Sequence, residues 1–192
     1  TVVSDSFPPS VQTQHGLIDL IRDEIYFSHI NGKDFLFLAG PVQPYLDARV
    51  ASSAEHYEFA ESILKVAKPL GVKQIFTLAG INIGEQRLTQ EPRVIVSATS
   101  AKLLEEFKKT GAILSDQDGL ISGAAGLLLG LAKEFDMEGA CLMGETNASL
   151  VYGDHGAAKK VLDLLGKKFK WKIKMEAIDK ESKNIEKAFT QL

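Results

Sequence analysis

The 192-residue chain lacks several features, and each shortage excludes a class of protein. Its one cysteine, Cys141, has no partner for an intramolecular disulfide, and no Cys/His cluster has zinc-site spacing. No apolar run approaches the roughly 20 residues that a membrane-spanning helix needs. Residues 1–9 contain Asp5 and two prolines and lack the basic start and apolar stretch of a signal peptide. These absences predict a cytoplasmic protein that has no membrane anchor and no metal.

Charge is unevenly distributed along the chain. Residues 1–158 hold 12 Lys/Arg against 20 Asp/Glu, whereas residues 159–192 hold ten Lys against five acids, within a net charge of −3. The overall acidity argues against a broad nucleic-acid surface. Two interpretations of the basic tail stay open. It is either a solvated helix face or a contact for an acidic partner.

The hydrophobic pattern predicts an α/β fold with a mixed, largely parallel sheet. Asn31-Gly32, between the apolar residues 26–30 and 35–39, predicts a β-hairpin. Strands and helices then alternate, with helices at 52–68, 100–109, 121–135, 156–168 and 179–189, and strands at 72–78, 94–98, 140–143 and 169–175. We expect one α/β domain over residues 1–175, followed by a lysine-rich C-terminal helix over residues 176–192.

Three predicted strands run into a glycine: Gly40, Gly80 and Gly144. Glycine suits a chain that leaves a buried strand tightly, because it tolerates positive φ. The loops that follow are therefore predicted to share the carboxyl edge of the sheet, where open α/β sheets commonly bind ligands. Plain strand-exit turns are an equally good interpretation of any one of them.

The densest motif has glycines at positions 119, 123, 126 and 130. A glycine-rich turn before a helix can hold an anion, but the spacing matches neither GxxxxGK[ST] nor GxGxxG. Small residues spaced by three and four on an apolar helix also let another backbone approach closely. We favour packing, in the core or in a subunit interface, and keep anion binding as the alternative.

No catalytic set emerges from the ionisable residues. Glu145 follows Gly144 at a strand end, where a general acid or base can lie, but its partners are diffuse. The four histidines occupy unrelated segments, and Asp154 is explained as the N-cap of a helix. The chain is therefore predicted to have no catalytic, cofactor-binding or metal-binding residues.

The ordered motifs resemble the proteasome assembly chaperone 2 family. GLISGAAGLLLGLA at 119–132 is followed by LMGET at 142–146 and by DHGAAKKVL at 154–162, and earlier segments agree over nearly the whole chain. The family residues that the resemblance marks, as packing or interface positions, are Gly119, Ser122, Gly123, Gly126, Gly130, Gly144, Glu145 and Thr146.

The resemblance implies a three-layer α/β/α fold similar to nucleoside phosphorylases. It also implies homo-oligomers and an ATP-independent role in assembling proteasome α-subunits. Two features depart from the family pattern. The family usually opens with a strand and a glycine-containing turn before Phe-Pro-Pro, whereas this chain starts at Thr1, so we expect a first strand–helix unit to be missing from the sequence. Several members also end in hydrophobic-Tyr-X, whereas this chain ends in Phe-Thr-Gln-Leu.

Three hypotheses follow. The first is a non-catalytic assembly factor that binds itself and proteasome α-subunits, with contacts from the C-terminal residues Lys180, Lys183, Lys187, Phe189 and Leu192. The second is an enzyme acting on nucleosides or phosphate esters through the strand-end loops, with Glu145 and either Arg87 or Arg93. The third is an oligomeric scaffold whose partner is unrelated to proteasomes.

Overall fold

The structure, a computed structural model, describes residues 1–4, 7–42, 53–115, 118–150, 153–176 and 178–180. Two hairpins come first along the chain. Strands β1 (Val11–Gln14) and β2 (Leu17–Leu20) form one, and β3 (Glu24–Ile30) and β4 (Lys33–Ala39) form the other. Asn31 and Gly32 have φ values of 52° and 75°, the left-handed conformation that a two-residue hairpin turn requires. The hairpin predicted at this turn is confirmed.

A four-stranded sheet follows, flanked by helices. Its strands are β5 (Gln74–Asn82), β6 (Val94–Ala98), β7 (Ile113–Leu114) and β8 (Glu138–Thr146), in the order β5-β8-β6-β7. The helices are α1 (Ser53–Ala67), α2 (Gln86–Thr89), α3 (Ala101–Lys108), α4 (Gly123–Ala132) and α5 (His155–Phe169), and a short 3-10 turn (Lys133–Phe135) follows α4. The pairs β5–β8 and β6–β7 are parallel, whereas β6 and β8 are antiparallel. The predicted α/β fold with a mixed sheet is confirmed.

The layers follow from alternation along β8, which is buried on both faces. Ala140 and Leu142 point to one face, where they pack with α3 and α5. Cys141 and Met143 point to the other, where they pack beneath Leu129 of α4. Helix α1 covers α4 from outside. A strand buried on both faces reads as a continuous apolar run, which is why residues 140–143 were recognisable in the sequence.

The strand predicted over residues 169–175 is wrong. Phe169 is the last residue of α5, and Lys170 ends that helix in the left-handed conformation. Residues 171–175 belong to no helix or ladder among the described residues, although their exposure alternates. Half-buried apolar residues do alternate with exposed lysines over residues 171–175, as the sequence suggests. A strand assignment also needs a neighbouring strand to supply hydrogen bonds, and the sequence pattern does not reveal one.

The shared loop edge predicted after three glycines is also only partly right. Gly40 follows β4, which lies in a separate hairpin and not in the sheet. Gly80 and Gly144 are not strand exits, because β5 and β8 continue past them to Asn82 and Thr146, and the two glycines lie opposite each other. Gly144 has a packing reason instead. A Cβ there would lie 3.2 Å from the Cβ of Ala157, on α5.

Candidate functional site

An ion pair whose carboxylate is buried lies where β8 ends beside the start of β6. Strand β6 runs antiparallel to β8, with Val94 opposite Gly144, so Arg93 lies beside Glu145. The Arg93 guanidinium donates from Nε to Oε1 at 3.0 Å and from Nη2 to Oε1 at 2.5 Å. The backbone N–H of Arg93 donates to Oε2 at 2.9 Å. The Glu145 carboxylate is thus held by both the side chain and the backbone of one residue.

This pairing sets the charge of Glu145. Hydrogen bonds from the Arg93 side chain lower its pKa below the ordinary value, although burial acts in the opposite direction. The lowered pKa keeps the carboxylate ionised near neutral pH, and its side chain is 0% exposed and so out of contact with solvent. A general acid needs the opposite environment, one that raises the pKa. The geometry is that of a structural anion.

A second ion pair joins Arg87, on α2, to Asp154, which precedes α5. The guanidinium donates from Nε to Oδ2 at 2.7 Å and from Nη2 to Oδ1 at 3.0 Å, and only 4% and 2% of the two side chains is exposed. Asp154 also accepts from the backbone N–H of Ala157, which confirms it as the N-cap of α5. The carboxylate therefore ties the start of α5 to the loop after β5.

Two asparagines, Asn82 and Asn147, join the loop after β5 to the loop after β8 by hydrogen bonds. Asn82 Oδ1 accepts from the backbone N–H groups of Gly84, at 3.0 Å, and Ala148, at 3.1 Å. Asn147 Nδ2 donates to the carbonyl of Gly84 at 3.0 Å. Gly84 has a φ of 62°, a conformation that side chains disfavour. The loops after β5 and β8 are thus joined by side chain–backbone hydrogen bonds.

A cleft of about 360 Å³ adjoins this edge, between Arg93 and helix α5. Its lysines are already engaged: Lys160 pairs with Glu91 at 2.7 Å, and Lys167 donates to the carbonyl of Thr110 at 3.4 Å. No group of three or more His, Cys, Asp or Glu side chains in the described ranges is arranged to hold a metal ion. No described helix is long and apolar enough to cross a membrane.

Comparison with known proteins identifies the family. A model of the PAC2 family matches residues 1–192. This chain belongs to the PAC2 family. The resemblance drawn from the sequence motifs is therefore confirmed.

The proteins that this chain matches are longer than the chain itself. Uncharacterized protein MJ1210 of Methanocaldococcus jannaschii is 33% identical over 181 residues, and the match covers 94% of this chain but 66% of that protein, so the chain spans about two thirds of its relative. The crystal structure of Pyrococcus furiosus PbaB, described as an archaeal proteasome activator, has a TM-score of 0.84 at 30% identity, covering 98% of this chain and 78% of that one.

Pyrococcus furiosus PbaA, described as an archaeal homolog of proteasome-assembly chaperone, has a TM-score of 0.74 at 22% identity. That match covers 98% of this chain and 72% of PbaA. At this identity, the match to PbaA establishes a shared fold.

The glycines of the PAC2 motif have different surroundings. Gly119 precedes α4 and borders open space, and Gly123 begins the helix with a φ of 76°. A Cβ on Gly126 would lie 1.8 Å from the carbonyl oxygen of Ile121, so the chain just before the helix passes directly over this position. Gly130 borders open space. Ser122 is the N-cap residue of α4, although its side chain makes no capping hydrogen bond.

The other predicted site residues lie in two places. Gly144, Glu145 and Thr146 end β8, and the structure brings Glu145 together with Arg93. Lys180 is exposed beyond α5. The remaining partner-binding candidates lie outside the described residues: Lys183, Lys187, Phe189 and Leu192. Whether any of these positions contacts a subunit stays a prediction.

Sequence reasoning missed the pair of Arg87 with Asp154. The N-cap pattern at Asp154 was readable, but its guanidinium partner lies 67 residues earlier, on a four-residue helix with no periodic signal. It also missed the aromatic cluster around Trp171, whose ring centroid lies 4.9 Å from those of Phe35 and Phe169. Contacts between distant segments leave no trace in local spacing.

Proposed function

We propose that this chain is a non-catalytic, assembly chaperone-like protein that forms homo-oligomers and binds proteasome α-subunits without ATP. The observation that carries the proposal is the match to PbaB, at 30% identity and a TM-score of 0.84 over 98% of the chain, within a PAC2 match to the entire sequence. PbaB is described as a proteasome activator and PbaA as a homolog of a proteasome-assembly chaperone. Both descriptions concern proteasomes.

The ion pairs at the carboxyl edge support a structural use of the edge. Glu145 and Asp154 are each held by an arginine, and both carboxylates are nearly or fully inaccessible. In an enzyme, an ionisable group of this kind must reach the reacting atom. Closed pairs of this kind instead fix the positions of loops and of the start of α5, as a protein-binding scaffold requires.

Capture of α-subunits tests the proposal. The purified chain is mixed with proteasome α-subunits at low salt, and complexes are collected by affinity capture and resolved on native gels. We expect co-capture and faster appearance of assembled α-subunit species, with or without ATP. The double variant Arg87→Met, Asp154→Asn removes the ion pair that joins α5 to the loop after β5. Comparing its capture with that of the wild type shows whether capture depends on this edge of the sheet. Absence of capture by the wild-type chain in low salt would contradict the proposal.

The second candidate function is activation of assembled proteasomes, and the similarity to PbaB favours it. An activator raises the rate of peptide hydrolysis by assembled proteasomes, whereas an assembly factor changes the rate at which free subunits associate. Measuring both rates with one preparation separates the two functions.

The enzyme hypothesis has its own test. A nucleoside, nucleotide or phosphate that binds the native state raises the unfolding midpoint by mass action. We expect no ligand in this thermal-shift screen to raise the unfolding midpoint, and a saturable rise with any of them would favour the enzyme hypothesis over the assembly factor.

A further inference from the structure

The basic charge of the C-terminal part is concentrated before residue 175. Residues 159–174 contain seven lysines and one acid, Asp163. The lysines on α5 are engaged within the chain. Lys159 pairs with Asp179, Lys168 pairs with Glu106, and Lys160 and Lys167 make the contacts described above. These charges are largely neutralised before any partner arrives.

Three further lysines, Lys170, Lys172 and Lys174, form what we call the lysine strip. Each is exposed, and none has an ion pair or hydrogen bond from its side chain within the described ranges. They alternate with Trp171 and Ile173, which are half-buried. Exposure alternates over residues 171–175, as along an extended segment, in which successive residues point to opposite sides and every second residue lies on the same side, about 6.6 Å apart. Lys172 and Lys174 therefore present unpaired positive charges on one side, and Lys170, the left-handed C-cap of α5, precedes them.

The backbone of the lysine strip is also unpaired. The segment is anchored at its start, because Trp171 N–H donates to the carbonyl of Gly166, at 3.0 Å, and Asn31 Nδ2 donates to that of Lys170, at 2.8 Å. Between these anchors and Met175, the backbone N–H groups of Lys172 and Lys174 have no partner in the described part of the chain. An extended segment with free N–H and C=O groups is a template for strand addition.

We propose that the lysine strip binds an acidic, extended segment of a partner protein, which adds alongside it as a β-strand. Backbone hydrogen bonds hold the added strand, and carboxylates at alternate positions meet the lysines. The inference rests on the proposed function, since it names the chemistry by which a partner subunit is recognised. The lysines that would contact the partner are thus Lys170, Lys172 and Lys174, rather than the lysines of the C-terminal residues 176–192.

Two features favour a peptide over a nucleic acid. Phosphate binding uses many positive charges spread over a surface, whereas this chain has a net charge of −3 and a single short row. Unpaired backbone donors and acceptors in an extended segment match another backbone of the same kind.

Fluorescence titration tests the proposal, because Trp171 is the only tryptophan and lies within the strip. The probe is a short blocked peptide alternating glutamate and valine, added to the full chain at low salt. We expect a saturable change in Trp171 emission, and affinity that falls as salt is raised. The triple variant Lys170→Gln, Lys172→Gln, Lys174→Gln should bind about tenfold more weakly, since each exposed pair contributes a few-fold factor.

The matched control removes the same charge elsewhere. Lys33→Gln, Lys73→Gln, Lys133→Gln changes three exposed lysines outside the strip and should bind the peptide as the wild type does. The proposal fails if the strip variant binds equally well, if neither charged nor neutral peptides bind, or if a glutamine–valine peptide binds as tightly. Tighter binding of a single-stranded thymine oligonucleotide would mark a nucleic-acid surface instead. A change in the variant's sedimented mass would mark an interface between copies, and would equally overturn the proposal.

The α-subunit experiment separates this proposal from the proposed function. If the wild-type chain captures α-subunits and the strip variant captures them equally well, the strip is not the docking site and the proposed function stands. If the wild-type chain binds the acidic peptide but captures no α-subunit, the strip stands and the proposed function fails.

Discussion

Gly126 and Gly130 lie four residues apart on α4, yet their surroundings differ. The carbonyl oxygen of Ile121 occupies the space that a Cβ on Gly126 would need, and this obstacle is backbone, which cannot rotate away. Gly130 faces open space. One glycine is thus required by packing within the chain. The other has no requirement among the described residues and is free to serve a contact with another subunit.

Substitution separates these two glycines. Gly126→Ala should lower the free energy of unfolding by about 1–3 kcal/mol, because the methyl group forces the segment before α4 to move. Gly130→Ala, the matched control, should raise it by up to about 1 kcal/mol, because alanine favours the helix. Urea unfolding of both variants measures the difference. Equal effects at the two positions would show that the Ile121 contact does not constrain α4.

The pair of Arg87 with Asp154 is buried on both sides, so removing one partner leaves an uncompensated charge. Arg87→Met should destabilise the chain by about 3–5 kcal/mol. Adding Asp154→Asn should recover part of that loss, because asparagine carries no charge and still caps α5. Denaturant unfolding of the two single variants and the double variant gives the coupling energy. If the losses of unfolding free energy in the two single variants simply add up to that of the double variant, the two side chains do not interact.

The pKa of Glu145 predicts a pH dependence of stability. Because Arg93 lowers this pKa in the folded state, the ion pair contributes stability at pH values above 4.5, the ordinary value, and that contribution is lost as pH falls through the lower folded-state pKa. Glu145→Gln should therefore show a smaller loss of unfolding free energy on acidification below pH 4.5 than the wild type. Arg93→Gln removes the same pair and should flatten the curve similarly. If the unfolding free energy of the wild type and of both variants fell equally with pH, the ion pair of Glu145 with Arg93 would not be the source of the pH dependence.

Among the elements, the β3–β4 hairpin depends on contacts outside its own ladder. A two-stranded hairpin is marginal by itself in water. One side of this hairpin carries Phe35, which packs edge-on against Phe169 at 5.3 Å and Trp171 at 4.9 Å. Phe169 in turn contacts Phe76 of β5, at 5.3 Å. The end of α5 therefore links the hairpin to the sheet.

Removing that link should loosen the hairpin selectively. Phe35→Ala is expected to increase amide hydrogen exchange over residues 24–39 and to leave β8 protected, because the core of the sheet does not use this ring. Phe27→Ala is the control, since Phe27 is 66% exposed on the other side of the hairpin. Hydrogen exchange followed by mass spectrometry resolves the two regions. Increased exchange throughout the sheet would mean that the hairpin and sheet unfold as one unit.

On the scale of the whole molecule, the C-terminal residues 176–192 are predicted to contribute to partner binding. Residues 178–180 continue as helix, and 181–192 lie outside the described residues. Deleting residues 181–192 retains the pair of Lys159 with Asp179 and should weaken α-subunit capture at low salt. Light scattering should give a mass that is a multiple of the 20.9 kDa chain for both forms. A monomeric wild-type chain would contradict the homo-oligomer, and undiminished capture would remove the tail from the contact.

Local patterns in the sequence determined much of this protein by themselves. The Asn31-Gly32 turn, the cap at Asp154 and the buried strand at residues 140–143 each depend on residues within a few positions, so local spacing was enough to predict them. The family was recognisable for a related reason: its motifs occur in order along the chain.

Only the tertiary structure decided which segments meet. It placed β6 antiparallel beside β8, paired Arg87 with Asp154 across 67 positions, and left residues 171–175 outside every ladder of the described part of the chain. Each of these depends on the position of a distant backbone. Hydrogen bonds and ion pairs form between atoms that are close in space, and local periodicity contains no information about which distant segment supplies the partner.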